Sequence, residues 1–302
     1  MIDVNGPFLN ISPYLDGLMS SGEGTIPVFG DVKFLSRIDR LRLKDGLELT
    51  AVDLAADFQG PILQSFSLKG KSVQGGAIDF QLQEDAETKQ RALTATVADA
   101  GGLLQGLLGT DFVTGGTLTA TGTLSQSAED KTKLLVRIKN ARIKKAPLLT
   151  QVLSLASLRG LADVMNGDGI LFTDVRLPLE IDAEGYYLDG AKASGPAMGF
   201  TTKGHILNDG QKIALDGVLV PSFGVNSALG GIPIIGDLFV SRDGEGVFAI
   251  TYGVRGSLEE AKVSVNPLAG LLPGVLRRIF ENPAAEPIPK ENTPPEQLAP
   301  AD

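Results

Sequence analysis

The chain has no cysteine among its 302 residues and a single histidine, His205. Without thiols it can build neither a disulfide framework nor a thiolate metal site, and the same absence leaves its redox compartment open. One imidazole is too few for a His-based zinc site, which needs further nitrogen or sulfur ligands. Nucleophilic catalysis of the Ser-His-Asp or Cys-His kind needs a base within reach of the nucleophile, and no partner motif surrounds His205, which lies between Gly204 and Ile206 on an expected strand. No catalytic residue, no metal and no cofactor is expected.

Positive charge is also scarce. There are 27 Lys and Arg against 36 Asp and Glu, a formal net charge of −9. Nucleic-acid binding draws its affinity from clustered cations, so no nucleic-acid partner is expected. The one basic stretch, Arg137 to Lys145, reads as a solvated strand face, with anionic headgroups as its alternative partner. No apolar run approaches the ~20 residues that a membrane-spanning helix needs. The opening residues, MIDVNGPFLN, have no basic region, apolar core or cleavage site of a secretory signal. Any targeting segment is therefore expected upstream, in a longer parent chain. The glycine-rich stretches GGTLTATG and GGLLQG lack GxGxxG spacing, and no GxxxxGK[ST] occurs, so phosphate cradles are not expected.

Composition does not exclude a pair of catalytic carboxylates, since a glycosidase needs only two at the right separation. Asp163, Asp168, Asp174, Asp182 and Glu184 are the candidates, but they fall in or beside turns and on the wet side of a strand, where a solvated surface accounts for them. NGDG at 166–169 resembles a fragment of a calcium loop with no downstream ligands to complete it, and helix termination accounts for it.

What is present is a folding composition, 43% hydrophobic and 21% charged, with 37 glycines spread through short apolar stretches as turns would be. From Asp31 to about Val97 the pattern has period two. Ile78, Phe80 and Leu82 alternate with Asp79, Gln81 and Gln83, and Glu84 to Arg91 reads as a hairpin tip. Residues 99–110, DAGGLLQGLLGT, read as a glycine-broken apolar turn. Leu118, Ala120 and Leu124 then share one strand face, and Thr117, Thr119, Thr121 and Thr123 the other. Val136 and Ile138 oppose Arg137 and Lys139 on the next strand.

A helix is expected from Pro147 to Met165, with proline in its first turn and Leu149, Val152, Leu153 and Ala156 on a broad apolar surface. It packs over the sheet, or meets a membrane or partner. From Leu171 to Asp182 the clearest strand puts Leu171, Val175, Leu177, Leu179 and Ile181 on one face. EGYYLDG reads as a hairpin, followed by strands near 198–207 and 211–220. Residues 225–239 read as broken helical turns. Two strands, around 245–254 and 258–265, precede a helix from Pro267 to Phe280, and the six prolines beyond Asn282 mark a disordered tail over 282–302.

The run GGTLTATGTL, ARIKKAPLLTQVLSLASLRGLADVMNGDGILFTDVRLPLEI, VNSALGGIPIIGDLF and YGVRGSLEEAKVSVNPLAGLLPGVLRRIF resembles the C-terminal region of AsmA-like proteins of the YhdP type, best over 99–281. The resemblance implies a mainly β fold over 1–281: an elongated, curved antiparallel sheet forming a taco-like groove, with a few short apolar helices. It implies a periplasmic, non-catalytic protein of a Gram-negative envelope, tethered to the inner membrane by an upstream segment. Such a protein conducts phospholipid acyl chains toward the outer membrane, with an outer-membrane or envelope protein as a further partner. On this reading Ile78, Phe80, Leu82, Leu177, Leu179, Ile181, Phe248, Ile250 and Tyr252 line the groove. An ordinary filled core, in a structural scaffold for envelope assembly, is the alternative for the same residues.

Overall fold

The structure, a computed structural model, describes residues 1–12, 30–44, 47–60, 62–84, 90–109, 111–125, 131–207, 210–221 and 249–268. Fourteen strands form one sheet whose spatial order is their order in the chain. They are β1 (Ile2–Asn10), β2 (Val32–Lys44), β3 (Leu47–Gln59), β4 (Ile62–Ser72), β5 (Ala77–Glu84), β6 (Arg91–Val97), β7 (Val113–Leu124), β8 (Thr132–Ile143), β9 (Ile170–Asp182), β10 (Gly185–Ser194), β11 (Met198–Leu207), β12 (Lys212–Pro221), β13 (Ala249–Gly256) and β14 (Lys262–Leu268). Every neighbouring pair is antiparallel except β1 and β2, which run parallel with Val4 opposite Ser36. Such a meander is what period-two alternation punctuated by turn residues builds.

Strand register carries the alternation across the sheet. Leu68, Phe80, Ala95, Ala120, Val136 and Leu177 lie opposite one another from β4 to β9. The neighbouring row runs through Phe66, Leu82, Leu93, Gly122, Leu134, Leu179 and Leu188. One face is therefore largely apolar across these strands, and the other carries most of the charges.

Among the described residues three short helices lie at one end of the strands: α1 (Ala100–Leu108) between β6 and β7, and α2 (Pro147–Leu155) with α3 (Arg159–Asn166) between β8 and β9. The Asp99 carboxylate caps α1 by accepting from Gly102 N at 3.1 Å, and Gly109 ends it in the left-handed region at φ 66°. Glycine-broken as it is, this stretch thus forms a helix over Ala100–Leu108 and not a turn, because both caps are in place. Its last turn rests on β3: a Cβ at Gly106 would lie 2.5 Å from the Leu47 Cβ. Lys44 Nζ donates to the Leu107 carbonyl at 3.0 Å, satisfying a free acceptor at the helix end.

The single helix expected from Pro147 to Met165 is broken in two. Ser157 takes φ 62°, its N–H donates to the Ser154 carbonyl at 3.1 Å, and Leu158 N–H donates to the Leu153 carbonyl at 2.8 Å. This is the Schellman pattern, with serine where glycine is usual. The break turns α3 back along α2, so that Thr150 Oγ1 bonds Asn166 Oδ1 at 3.3 Å.

The helices close a core at their end of the sheet, where Val152, Leu153, Ala162, Met165, Ile170, Phe172, Met198, Leu219 and Ile250 are all buried. Val263 and Val265 of β14 and Leu149 of α2 pack against this core, and α2 touches β14. In a flat sheet β14 would lie five strands from β9, about 24 Å away at ~4.8 Å per strand. The sheet curls about its apolar face, as sheets of more than ~10 strands do.

Several sequence expectations change. Leu171 faces away from Val175: with the β8–β9 register unchanged, the left-handed Asn140 (φ 55°) interrupts alternation between Ile138 and Ala141, and across from it Phe172 and Val175 are both buried, with Ile170 inward as well. The hairpin expected at EGYYLDG is present, with Asp182 paired to Gly185 across its turn and β10 beginning at Gly185. Pro267 and Leu268 end β14, and the chain from 257 to 261 is not strand. The turns at 225–239, the helix beyond Leu268, the tip at 85–89, Phe248 and the 282–302 tail lie outside the described residues.

Candidate functional site

All the described groove candidates fall on the one apolar face. Ile78, Phe80 and Leu82 project from β5, Leu177, Leu179 and Ile181 from β9, and Ile250 and Tyr252 from β13, in rows that the intervening strands continue. The face has two regimes. Under the helices Ile250 is fully buried and belongs to the packed core, as do Val152 and Leu153 of α2, while Leu149 and Ala156 are half-buried at its border. Farther along the strands, Phe66, Phe80, Leu134, Val136, Leu177, Leu179, Ile181, Leu188 and Leu215 are half-buried, and no described helix or strand packs over them.

Leu82 and Leu93 lie in this uncovered region yet are only 3% and 7% exposed. A flat, single-layer sheet would leave such side chains open to water, so the face is concave and its own side chains crowd one another. A soluble fold ordinarily covers an apolar sheet face with a second layer. Contiguous apolar surface left without one marks a place for a ligand or partner.

Tyr252 serves as a fixed tile of this floor. Its ring lies over Gly217, where a Cβ would come within 2.5 Å of the phenol, and its hydroxyl donates to the Thr201 carbonyl at 2.9 Å. Burial pushes its pKa up to about 12.

The outer face is built of cross-strand ion pairs: Arg37–Asp53 at 3.0 Å, Arg137–Asp174 at 2.6 Å, Lys133–Glu180 at 3.6 Å and Arg255–Asp216 at 2.7 Å. These pairs are largely exposed, contribute little stability and keep that face wet. Arg137, from the basic stretch, is thus paired with its strand neighbour. A shallow depression on this face is lined by Tyr187, Lys203, His205, Ala214, Asp216 and Arg255. His205 faces the Tyr187 ring at 6.2 Å, and its Nε2 is buried without a hydrogen-bond partner among the described residues.

The acidic candidates do not converge. Asp174 pairs with Arg137, Asp182 Oδ1 accepts from the turn N–H groups of Glu184 and Gly185, and the Glu184 carboxylate accepts from the Tyr187 hydroxyl at 3.3 Å. Gly167 and Gly169 of NGDG donate back to α3 carbonyls. No cluster of three metal-ligating side chains forms among the described residues, and no described helix is long and apolar enough to cross a membrane.

No family model matches this chain, and comparison with curated proteins and with solved structures returns no match.

Proposed function

We propose that this chain is a non-catalytic lipid-holding protein of the AsmA-like type, which shelters phospholipid acyl chains along the concave face of its sheet during transport between the inner and outer membranes of a Gram-negative envelope. The observation that carries this reading is the in-register apolar band that no described helix or strand covers, from Phe66 and Phe80 through Leu134 and Leu177 to Leu215. From β4 to β12 the band crosses eight strand spacings of ~4.8 Å, a path of about 38 Å along the curved sheet.

A lipid tail of ~15 methylenes costs about 12 kcal/mol to expose to water at ~0.8 kcal/mol per methylene. A trough that replaces water along the tail removes much of that barrier. The polar outer face keeps the loaded protein in solution. Parent-chain tethering, periplasmic location and an envelope protein partner belong to the same proposal.

The packed core under the helices favours a second reading, a structural scaffold for envelope assembly. Phe172, Met165, Leu153 and Ile250 fill that end of the face with side chains alone. Lipid extraction and native mass spectrometry on the protein purified from a bacterial host separate the two. Co-purified phospholipid, lost in a folded Leu179→Arg variant, supports the trough; lipid-free wild-type protein supports the scaffold.

A further inference from the structure

We propose that Arg91 is the headgroup anchor of the trough and takes the phosphodiester of a phospholipid that also carries an ammonium group. The inference rests on the lipid-holding reading and names the class of lipid it selects.

Among the described strand residues of β4 to β14, register places two charged side chains on the apolar face, Glu84 and Arg91, directly opposite each other on β5 and β6. They lie at the end of the strands remote from the helices, one step beyond Leu82 and Leu93. On the other side Arg91 faces Leu124, and the row below it passes through Gly122, which contributes no side chain. The apolar band therefore ends at a guanidinium, where tails lying on Leu82, Leu93 and Leu134 would bring their headgroup to the rim.

The guanidinium is only partly used. Its Nη2 donates to the Ser125 carbonyl, while its Nε–H is buried without an acceptor among the described residues. A buried donor left unmade is unfavourable, and native structures rarely leave one. The planar fork of arginine matches a phosphate through two parallel bonds, which a rotation of the side chain toward the trough would make. The Glu84 carboxylate beside it disfavours a headgroup with net negative charge, so the phosphodiester it admits is one whose charge an ammonium of the same headgroup balances.

The test offers the purified chain vesicles of dioleoyl phosphatidylcholine with a minor share of dioleoylglycerol, two lipids that share their acyl chains, and measures the ratio retained after extraction relative to the ratio supplied. Wild type should favour the phospholipid about tenfold, the factor one charge-assisted hydrogen bond contributes. Arg91→Gln should hold as much total acyl lipid with the preference gone, and Arg91→Lys, which keeps charge without the fork, should fall between. In unmodified protein, high salt should erode the preference and leave diacylglycerol retention unchanged.

An unaltered ratio in Arg91→Gln, or a salt-independent ratio in wild type, overturns the anchor. Equal binding of inorganic phosphate alone overturns the lipid assignment. Retention of neither lipid by wild type removes the trough itself and the anchor with it.

Discussion

Replacing Val152 by aspartate should unfold the domain at neutral pH, and the size of the effect separates a packed helix from one that meets a membrane. Val152 is 2% exposed on α2, within the core that holds Leu153, Met165 and Phe172. Removing its buried side chain forfeits ~1.5–3 kcal/mol of burial. The carboxylate must then either remain ionised in an apolar site or take up a proton, and either route adds several kcal/mol. The sum, about 5 kcal/mol or more, is comparable with the 5–15 kcal/mol that holds an ordinary domain together. Urea denaturation followed by far-ultraviolet circular dichroism reads this directly. The variant should be unfolded or lose most of its midpoint. A wild-type midpoint combined with lost vesicle binding would refute the packing argument and make α2 a membrane element.

Three further outcomes follow from the local geometry. Ser157→Gly should stabilise by about 1 kcal/mol in the same denaturation experiment, because the left-handed conformation of Ser157 (φ 62°) suits glycine; a destabilised variant would show that the serine hydroxyl matters more than the backbone. Gly106→Ala should destabilise by ~1–3 kcal/mol even though alanine is the better helix former by ~1 kcal/mol, since its Cβ would meet the Leu47 Cβ at 2.5 Å. A higher melting temperature in that variant would mean that α1 does not rest on β3.

Tyr252 should ionise near pH 12, well above the ordinary tyrosine range near 10, as monitored by phenolate absorbance in wild type against Tyr252→Phe. Because its folded pKa is raised, its contribution is complete below pH 10 and is lost as the pH rises through about 12. Titration of all tyrosines together near pH 10 would contradict its burial over Gly217.

Much of the sheet was legible because alternation survives wherever strands are regular. Ile78, Phe80 and Leu82, or Leu177, Leu179 and Ile181, point where period two puts them. The failures have local causes. Leu171 changed faces at the backbone irregularity beside Asn140 (φ 55°), which leaves the register intact and which no hydrophobic pattern announces. The break after α2 relied on a serine in a glycine-like conformation, so the leucine periodicity ran on uninterrupted through Pro147–Met165. In α1, by contrast, the signals were present, Asp99 before the helix and Gly109 after it, but three internal glycines outweighed them.

The candidate face was readable, yet its division was not. Whether Ile250 or Leu179 is covered depends on where α2 and α3 fold back, a tertiary fact that strand alternation does not encode. Ile250→Arg therefore belongs among the folding variants, and Leu177 and Leu179 are the positions that probe the trough. Arg91 was read as part of a hairpin tip, because its inward direction follows only from its pairing with Leu124.

The most direct test of the central claim is native mass spectrometry, with lipid extraction, of wild type and Leu179→Arg purified from a bacterial host. Phospholipid bound to wild type and absent from a variant with an unchanged thermal midpoint is the result predicted here. Wild-type protein that emerges lipid-free, or a Leu179→Arg variant that keeps its lipid, would contradict it.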